Sequence, residues 1–387
     1  MNLFLKILIT TDLYTVNTNG VVTSVRNLSD ALIKRGHDVR ILTLSDKYKS
    51  YKKENAYFVR SLPLGAVYPD IRMSFARCHP YIKEIIDWKP DIIHNQCEFF
   101  TLEFAKKISK KTGAPIIHTY HTMYEQYIRY ILPLKKSAKK VVGFLARLRL
   151  KKVKAIATPT EKVKKSLLGY RIDKPIYIMP TGIDLDQHKV RITPEQRAQM
   201  RAQYGIAKDA VVLINLGRLG AEKNLPELIE YFERLCDKKK NLYFLIVGIG
   251  PAENELKMLA ENTSVGDKII FTGMVEPKNV HLYYQLGDVF VSASTSETQG
   301  LTYVEAAANG LPLLCREDPC LEEVIDNGKS GFTYNSYEDF EESFFVITKS
   351  NDNAREMGQK SAEMSQKFDK RTFADSAEKL YLKTLDI

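Results

Sequence analysis

Two glutamates, Glu297 and Glu305, stand eight positions apart in the stretch SETQGLTYVEAAANGLP (296–312), with Gln299 and Gly300 between them. A carboxylate can accept hydrogen bonds from sugar hydroxyls, balance a cation, or act as an acid or base. Glu297 falls in the turn after the apolar run VFVSAST. Thr302-x-x-Glu305 matches a capping box, so a helix is expected to begin near Thr302 with Glu305 closing its first turn. The same turn supports a second reading. A glycine-containing turn into a helix N-terminus offers free backbone N–H groups to an anion, and an acid in that turn can hold ribose hydroxyls. The segment alone leaves both readings open.

Two cations lie in GRLGAEKN (217–224), on the connection between an apolar run and the next helical pattern. Arg218 presents a planar fork and Lys223 a point charge, a pairing suited to a diphosphate; two solvated surface cations are the alternative. The turn VGIGP (247–251) lacks the full G-x-G-x-x-G pattern and no P-loop is present, which argues against hydride transfer and ATP hydrolysis. In HTYHTMYEQY, His118 and His121 follow a buried strand pattern at i, i+3. No third ligand is near, so a satisfied core or loop histidine is the ordinary reading of each. Asp184 and Asp186 resemble a metal–nucleotide D-x-D, but their place in a linker argues against that role. No metal site is expected.

The elements that must position these residues alternate in type. LFLKILITT and HDVRILTL read as the first strands, and PDIIHNQ, APIIHTYHT and KAIATPT as buried parallel strands that each end in polar residues. Between the first two, VVTSVRNLSDALIKRG has helical spacing and a C-terminal glycine, Gly36. A polar stretch at 184–193 ends at Thr193-Pro194, a helix start. The alternation then restarts through AVVLINLGRL, NLYFLIVGIG, KIIFTGMV, DVFVSAST and LPLLCRED, with helices expected from Pro226, from Pro251 and near Val280. This order is α/β and predicts two facing Rossmann-like, doubly wound domains with an interdomain cleft, ligands lying at the carboxyl ends of the strands. The expected division is 1–185 for acceptor and membrane binding and 186–369 for the donor, with a C-terminal helix at 370–387 packing back onto the first domain.

At 387 residues with 44% hydrophobic and 27% charged content, the chain has material for two sizeable cores. No apolar run is long enough to span a bilayer, and MNLFLKILITT reads as a first strand because it lacks a small-residue cleavage site. Five scattered cysteines, without a CxxC pair, fit free thiols in a reducing cytoplasm. The net charge of +10 is uneven: residues 1–190 carry 34 Lys/Arg against 16 Asp/Glu, whereas 191–387 carry 23 against 31. The first half is therefore expected to meet something acidic. Much of that charge lies in LPLKKSAKKVVGFLARLRLKKVKA (132–155), where Lys135, Lys136, Lys139, Lys140, Arg147, Arg149, Lys151 and Lys152 interleave with Val, Phe and Leu and no acid occurs. A basic amphipathic helix of this kind lies in the plane of an anionic membrane interface; the alternative is a domain helix with a solvated basic face. Aromatic interleaving is thin, so nucleic acid is not an expected partner.

These pieces, in this order, resemble the retaining glycosyltransferases of family 4, which have the two-domain GT-B fold. The resemblance covers essentially the whole chain: NGVVTSV, HTYHT, PTGID, GRLGAEKN, IVGIGP, FTGMV, the 288–312 segment and FDKRTFADSAEKLY. HNQCEFF, HTYHTMYEQY and TSETQGLTYVEA are similar to a lipid-acting branch, the bacterial diacylglycerol glucosyltransferases. Gln299 departs from the broad family, which has an aromatic residue there, and agrees with that branch.

The resemblance implies transfer of glucose from UDP-glucose to diacylglycerol, giving an α-linked monoglucosyl lipid, by a peripheral enzyme on the cytoplasmic face of the membrane. Gly20 would allow close approach of backbone to the donor phosphates and the acceptor. Arg218 and Lys223 would bind the diphosphate, Glu297 the transferred sugar and Glu305 the ribose. The turn from Gln299 through Gly300 and Leu301 to Thr302 would supply backbone N–H groups, and His121 would sit by the sugar at the reaction centre. The UDP-sugar is a substrate, and no prosthetic group is implied. Front-face attack, with the leaving phosphate taking the acceptor proton, is the implied course. The other readings are a glycolipid or soluble-sugar acceptor, UDP-galactose as donor, and a non-enzymatic nucleotide-sugar-binding scaffold.

Overall fold

The computed structural model describes residues 4–14, 19–64, 72–123 and 135–387, with the side chains of 135–138 excepted. Lys135 and Lys136 are therefore placed by their backbone alone. The chain divides into two compact units, 1–183 with 370–387, and 184–369.

In the first unit the strands are β1 (Lys6–Thr11), β2 (Asp38–Leu44), β3 (Tyr51–Lys53), β4 (Ala56–Val59), the short β5 (Leu62–Pro63) and β6 (Arg72–Met73), β7 (Ile92–Asn95), β8 (Ile116–Thr119), β9 (Ala155–Thr158) and β10 (Ile176–Ile178). Eight of them form one sheet in the order β10-β9-β8-β7-β1-β2-β4-β3, and β5 pairs with β6. Every pairing in the large sheet is parallel except β3 against β4. Central strands of a parallel sheet are covered on both faces, which is why β1, β7 and β8 are buried along almost their whole length. One face packs Leu8, Ile93 and Ile116 against helices Pro80–Trp88, Phe100–Thr112, Lys135–Leu150 and Glu161–Gly169. The other packs Ile7, Ile9 and Ile117 against helices Gly20–Lys34 and Lys370–Leu385, the latter contributing Phe373, Ala377 and Tyr381. The 20–34 helix starts at Asn19, whose side chain accepts from the Val22 N–H, and is followed by Gly36 at φ +93°.

The second unit holds β11 (Val211–Leu216), β12 (Leu242–Val247), β13 (Ile269–Gly273), β14 (Val289–Ser292), β15 (Leu313–Arg316) and β16 (Gly331–Tyr334). They form one parallel sheet in the order β13-β12-β11-β14-β15-β16. Counted from the first strand this is 3-2-1-4-5-6, the order of a dinucleotide-binding sheet, whose ligand crevice opens where the order reverses. Here the reversal lies between β11 and β14. Its core gathers Phe232, Leu235, Phe244, Ile246, Val291 and Phe340. The unit begins near a helix at Pro194–Gln203, capped by Thr193 and Gln196 as a full capping box.

Candidate active site

Both sides of the reversal in the second unit end in residues that carry chemistry. After β11 the chain passes through Gly217, Arg218 and a short turn, Ala221–Lys223, into the helix Leu225–Lys238. This connection is zipped to the turn after β12: the Gly217 N–H donates to the Val247 carbonyl (2.9 Å) and the Leu219 N–H to that of Ile249 (3.0 Å). The approach is too close for a side chain. A Cβ at Gly248, which sits at φ +130°, would lie 2.0 Å from the Gly217 carbonyl oxygen.

After β14 the chain runs through Ser294, Ser296 and Glu297 to Gly300. The Ser294 and Ser296 hydroxyls each donate to the Glu222 carbonyl at 3.3 Å, so the two loops are stitched across the reversal. The stitching brings opposite charges together. Lys223 Nζ donates to Glu297 Oε1, which also accepts from Ser294 Oγ at 3.0 Å. Arg218 pairs with Glu222. The side chains of Glu297 and Lys223 are 17% and 24% exposed, so the ion pair is partly screened from water but open on one side.

Gly300 has φ +74°, and a Cβ there would fall 2.3 Å from the Tyr303 ring. It forms the N-cap of the helix Leu301–Ala308 and makes no side-chain cap. The backbone N–H groups of Leu301 and Thr302 are thus in the first turn, where a helix has donors without internal partners. Gln299 is buried beside them. The expected capping box is not formed. The left-handed glycine starts the helix at Leu301, so Glu305 is its fifth residue and its carboxylate cannot fold back onto Thr302. Instead, Glu305 Oε2 accepts from the Tyr284 hydroxyl at 2.8 Å. Burial raises the Glu305 pKa to about 7, against the lowering effect of that hydrogen bond.

That shift has a stability consequence. Glu305 ionises near 4.5 in the unfolded chain and near 7 in the folded one, so its contribution is fully present below pH 4.5 and is lost as pH rises through 7. A shift of this size corresponds to about 3 kcal/mol. Chemical denaturation of the wild type and of Glu305→Gln is expected to agree at pH 4.5 and to diverge by up to that amount at pH 8, the variant being the more stable.

In the first unit the strand order reverses at β1 and β7, and polar residues gather at their carboxyl ends. Asp12, with its pKa raised by burial, accepts from the Phe100 and Thr101 N–H groups and so caps the helix that follows β7. His118 is fully buried, with Nδ1 2.6 Å from Asn95 Oδ1 and Nε2 3.1 Å from Glu98 Oε1. It is a satisfied core histidine. His121 is partly buried and its Nε2–H donates to Gln96 Oε1 at 2.6 Å. Since an amide oxygen only accepts, Nδ1 is the acceptor nitrogen, and burial lowers the pKa to about 4, so the ring is neutral at ordinary pH. Gly20 is the first residue of the 20–34 helix. Among the described residues no three His, Cys, Asp or Glu side chains are grouped as a metal site.

The basic helix Lys135–Leu150 has two apolar rows. Val142, Ala146 and Leu150 face the core, and Gly143 lets the helix lie against Tyr170, where a Cβ would meet the ring at 3.1 Å. Val141, Phe144, Leu145 and Leu148 are each about half exposed, at 49–59%. Lys139, Lys140, Lys151 and Lys152 are exposed as well. Arg147 instead donates to the Tyr170 carbonyl, and Arg149 to Glu103 (3.1 Å) and the Phe99 carbonyl (3.3 Å). Tyr284, Gln96 and Ser294 were not singled out by any motif. Gln96 and Ser294 carry a signal only as polar residues closing buried strand patterns, PDIIHNQ and DVFVSAST.

Residues 196–364 match the sequence family described as "Glycosyl transferases group 1", and residues 18–187 match "Glycosyltransferase Family 4". The alpha-monoglucosyldiacylglycerol synthase of Streptococcus pneumoniae is 34% identical over 326 residues, 84% of this chain and 74% of that protein. The enzyme of the same name from Acholeplasma laidlawii is 32% identical over 398 residues, 99% of this chain and 98% of that one. Among solved structures, sucrose-phosphate synthase from Thermosynechococcus elongatus superposes with a TM-score of 0.77 at 17% identity, covering 99% of both chains. Anabaena HepE, solved in complex with UDP-glucose, gives 0.74 at 16% identity, covering 97% of this chain and 99% of that one. With two Rossmann-like sheet units of this order and relatives at 32–34% identity matched over 74% and 98% of their length, the chain belongs to the family 4 glycosyltransferases of the GT-B fold.

Proposed function

We propose that the protein transfers glucose from UDP-glucose to the hydroxyl of diacylglycerol, with retention at the anomeric carbon, as a hexosyltransferase working at an anionic membrane surface. Relatives named alpha-monoglucosyldiacylglycerol synthase support glycolipid synthesis. UDP-glucose is favoured because a protein of the same fold was solved with it. The observation that carries the membrane part is the outward row Val141, Phe144, Leu145 and Leu148 flanked by Lys139, Lys140, Lys151 and Lys152. Apolar side chains held out beside cations suit a bilayer interface, where each cation near anionic lipid contributes about 1 kcal/mol. Among the described residues no helix is long and apolar enough to cross a membrane. Five free cysteines fit the reducing, cytoplasmic face.

On this reading the bond from the sugar C1 to the UDP oxygen breaks as the bond from C1 to the acceptor oxygen forms. The acceptor proton passes to the departing phosphate. Negative charge that develops on the diphosphate is met by Arg218, Lys223 and the N–H groups of Leu301 and Thr302, all fixed before the reaction begins. Glu297 holds a sugar hydroxyl and Glu305 the ribose. His121, being neutral, serves as a hydrogen-bonding group for the sugar and does not titrate between pH 6 and 9.

Purified protein is expected to sediment with vesicles containing anionic lipid and to be released as salt is raised. Replacing Lys139, Lys140, Lys151 and Lys152 with glutamine should weaken that binding at least tenfold while leaving UDP binding unchanged, since four cations at about 1 kcal/mol each allow a larger loss. Equal binding to neutral vesicles at every salt concentration would refute the electrostatic part. Proton NMR of the lipid product should show the small anomeric coupling of an α-glucoside.

A further inference from the structure

We propose that Tyr284 is a positioning residue for the donor: its hydroxyl fixes the Glu305 carboxylate so that the remaining oxygen receives a ribose hydroxyl. The proposal rests on the reading of Glu305 as the ribose contact. Tyr284 ends the short helix Val280–Tyr284 that precedes β14, and Glu305 lies on the helix that follows it, so the two flank the strand whose carboxyl end carries Glu297. The Tyr284 ring has no solvent exposure. It packs against Phe290 at 6.1 Å between centroids and against the edge of His188 at 6.5 Å. His188 is itself held by Asn309, whose Nδ2 donates to the imidazole Nδ1 (2.8 Å) and to the Glu305 carbonyl (2.9 Å).

The hydroxyl is therefore set by the packing of its ring on Phe290 and His188 before any ligand arrives, and it donates to Oε2. Among the described residues no other group donates to the Glu305 carboxylate, which leaves Oε1 for an incoming hydroxyl. The bond also works against desolvation, which otherwise favours the neutral acid. A neutral carboxyl is a poorer acceptor than a carboxylate. Without the tyrosine hydroxyl, Glu305 would lose both its orientation and part of its charge.

The test uses kcat/KM with UDP-glucose and with its 2′-deoxy and 3′-deoxyuridine analogues, for wild type, Tyr284→Phe and Glu305→Gln. The phenylalanine keeps the ring in place, and thermal melting checks the fold. Wild type is expected to prefer the ribose form over the more affected analogue by about 100-fold, as a site built to bond a hydroxyl rejects its absence. In Tyr284→Phe that preference should fall to tenfold or less through a raised KM, with kcat within about threefold, because uniform binding is what is lost. Calorimetric binding of UDP against deoxy-UDP should give the same ratio without turnover. If Glu305→Gln loses the preference and Tyr284→Phe keeps it, Tyr284 has no positioning role. If all three proteins share one preference, the ribose reading of Glu305 falls and the proposal falls with it.

Discussion

Replacing Glu297 with alanine is expected to lower kcat by about a thousandfold, the scale of removing a group whose interactions tighten in the transition state. The fold should survive. Glu297 lies in a loop, and its ion pair with Lys223 and hydrogen bond from Ser294 are partly exposed. Ser294 and Ser296 still tie that loop to the Glu222 carbonyl when the carboxylate is removed. Melting temperature and UDP affinity should therefore change little while turnover collapses. Glu297→Gln, which keeps an acceptor oxygen, should fall between the two. Unchanged turnover in the alanine variant would remove Glu297 from the mechanism.

The second large effect is expected at Lys223. Lys223→Met keeps the length of the side chain and deletes the charge, so kcat/KM for the nucleotide sugar should drop by about 100-fold or more. Two losses add. The diphosphate forfeits a cation, and Glu297, no longer paired, meets the incoming phosphates as a like charge. Lys223→Arg should restore part of the activity, because the charge returns in a different geometry. Steady-state kinetics with the sugar donor varied separates the two variants from the wild type. Equal donor kinetics in wild type and Lys223→Met would contradict the assignment.

The fold class was readable because buried parallel strands leave a plain mark. VVLINL and LYFLIV are almost wholly apolar, and KILITT, IIHN and IIHT carry isoleucine and leucine runs that end in polar residues. The edge strand β3, YKK, carries no such mark: it is half solvated and stands antiparallel at the margin of the sheet. Within the site, local motifs read local structure and fail where tertiary contacts decide. Thr302 and Glu305 have the spacing of a capping box, yet one left-handed glycine moves the helix start and sends Glu305 to a tyrosine 21 residues away. No window of sequence joins those two residues. The basic helix shows the same limit. Its composition announces an amphipathic element, but two apolar rows share it, and only the packing of Gly143 on Tyr170 selects the inward one. His118 needed no motif, because a histidine at the end of a buried strand finds its partners in the neighbouring strand and loop.

The most direct measurement is label transfer from a panel of nucleotide sugars to diacylglycerol, glucosyl-diacylglycerol and soluble sugars in mixed micelles with anionic lipid. UDP-glucose with diacylglycerol is expected to give the highest kcat/KM, with a single monoglucosyl lipid as product. Preferred use of UDP-galactose, or faster transfer to a glycosylated lipid or a soluble sugar, would contradict it.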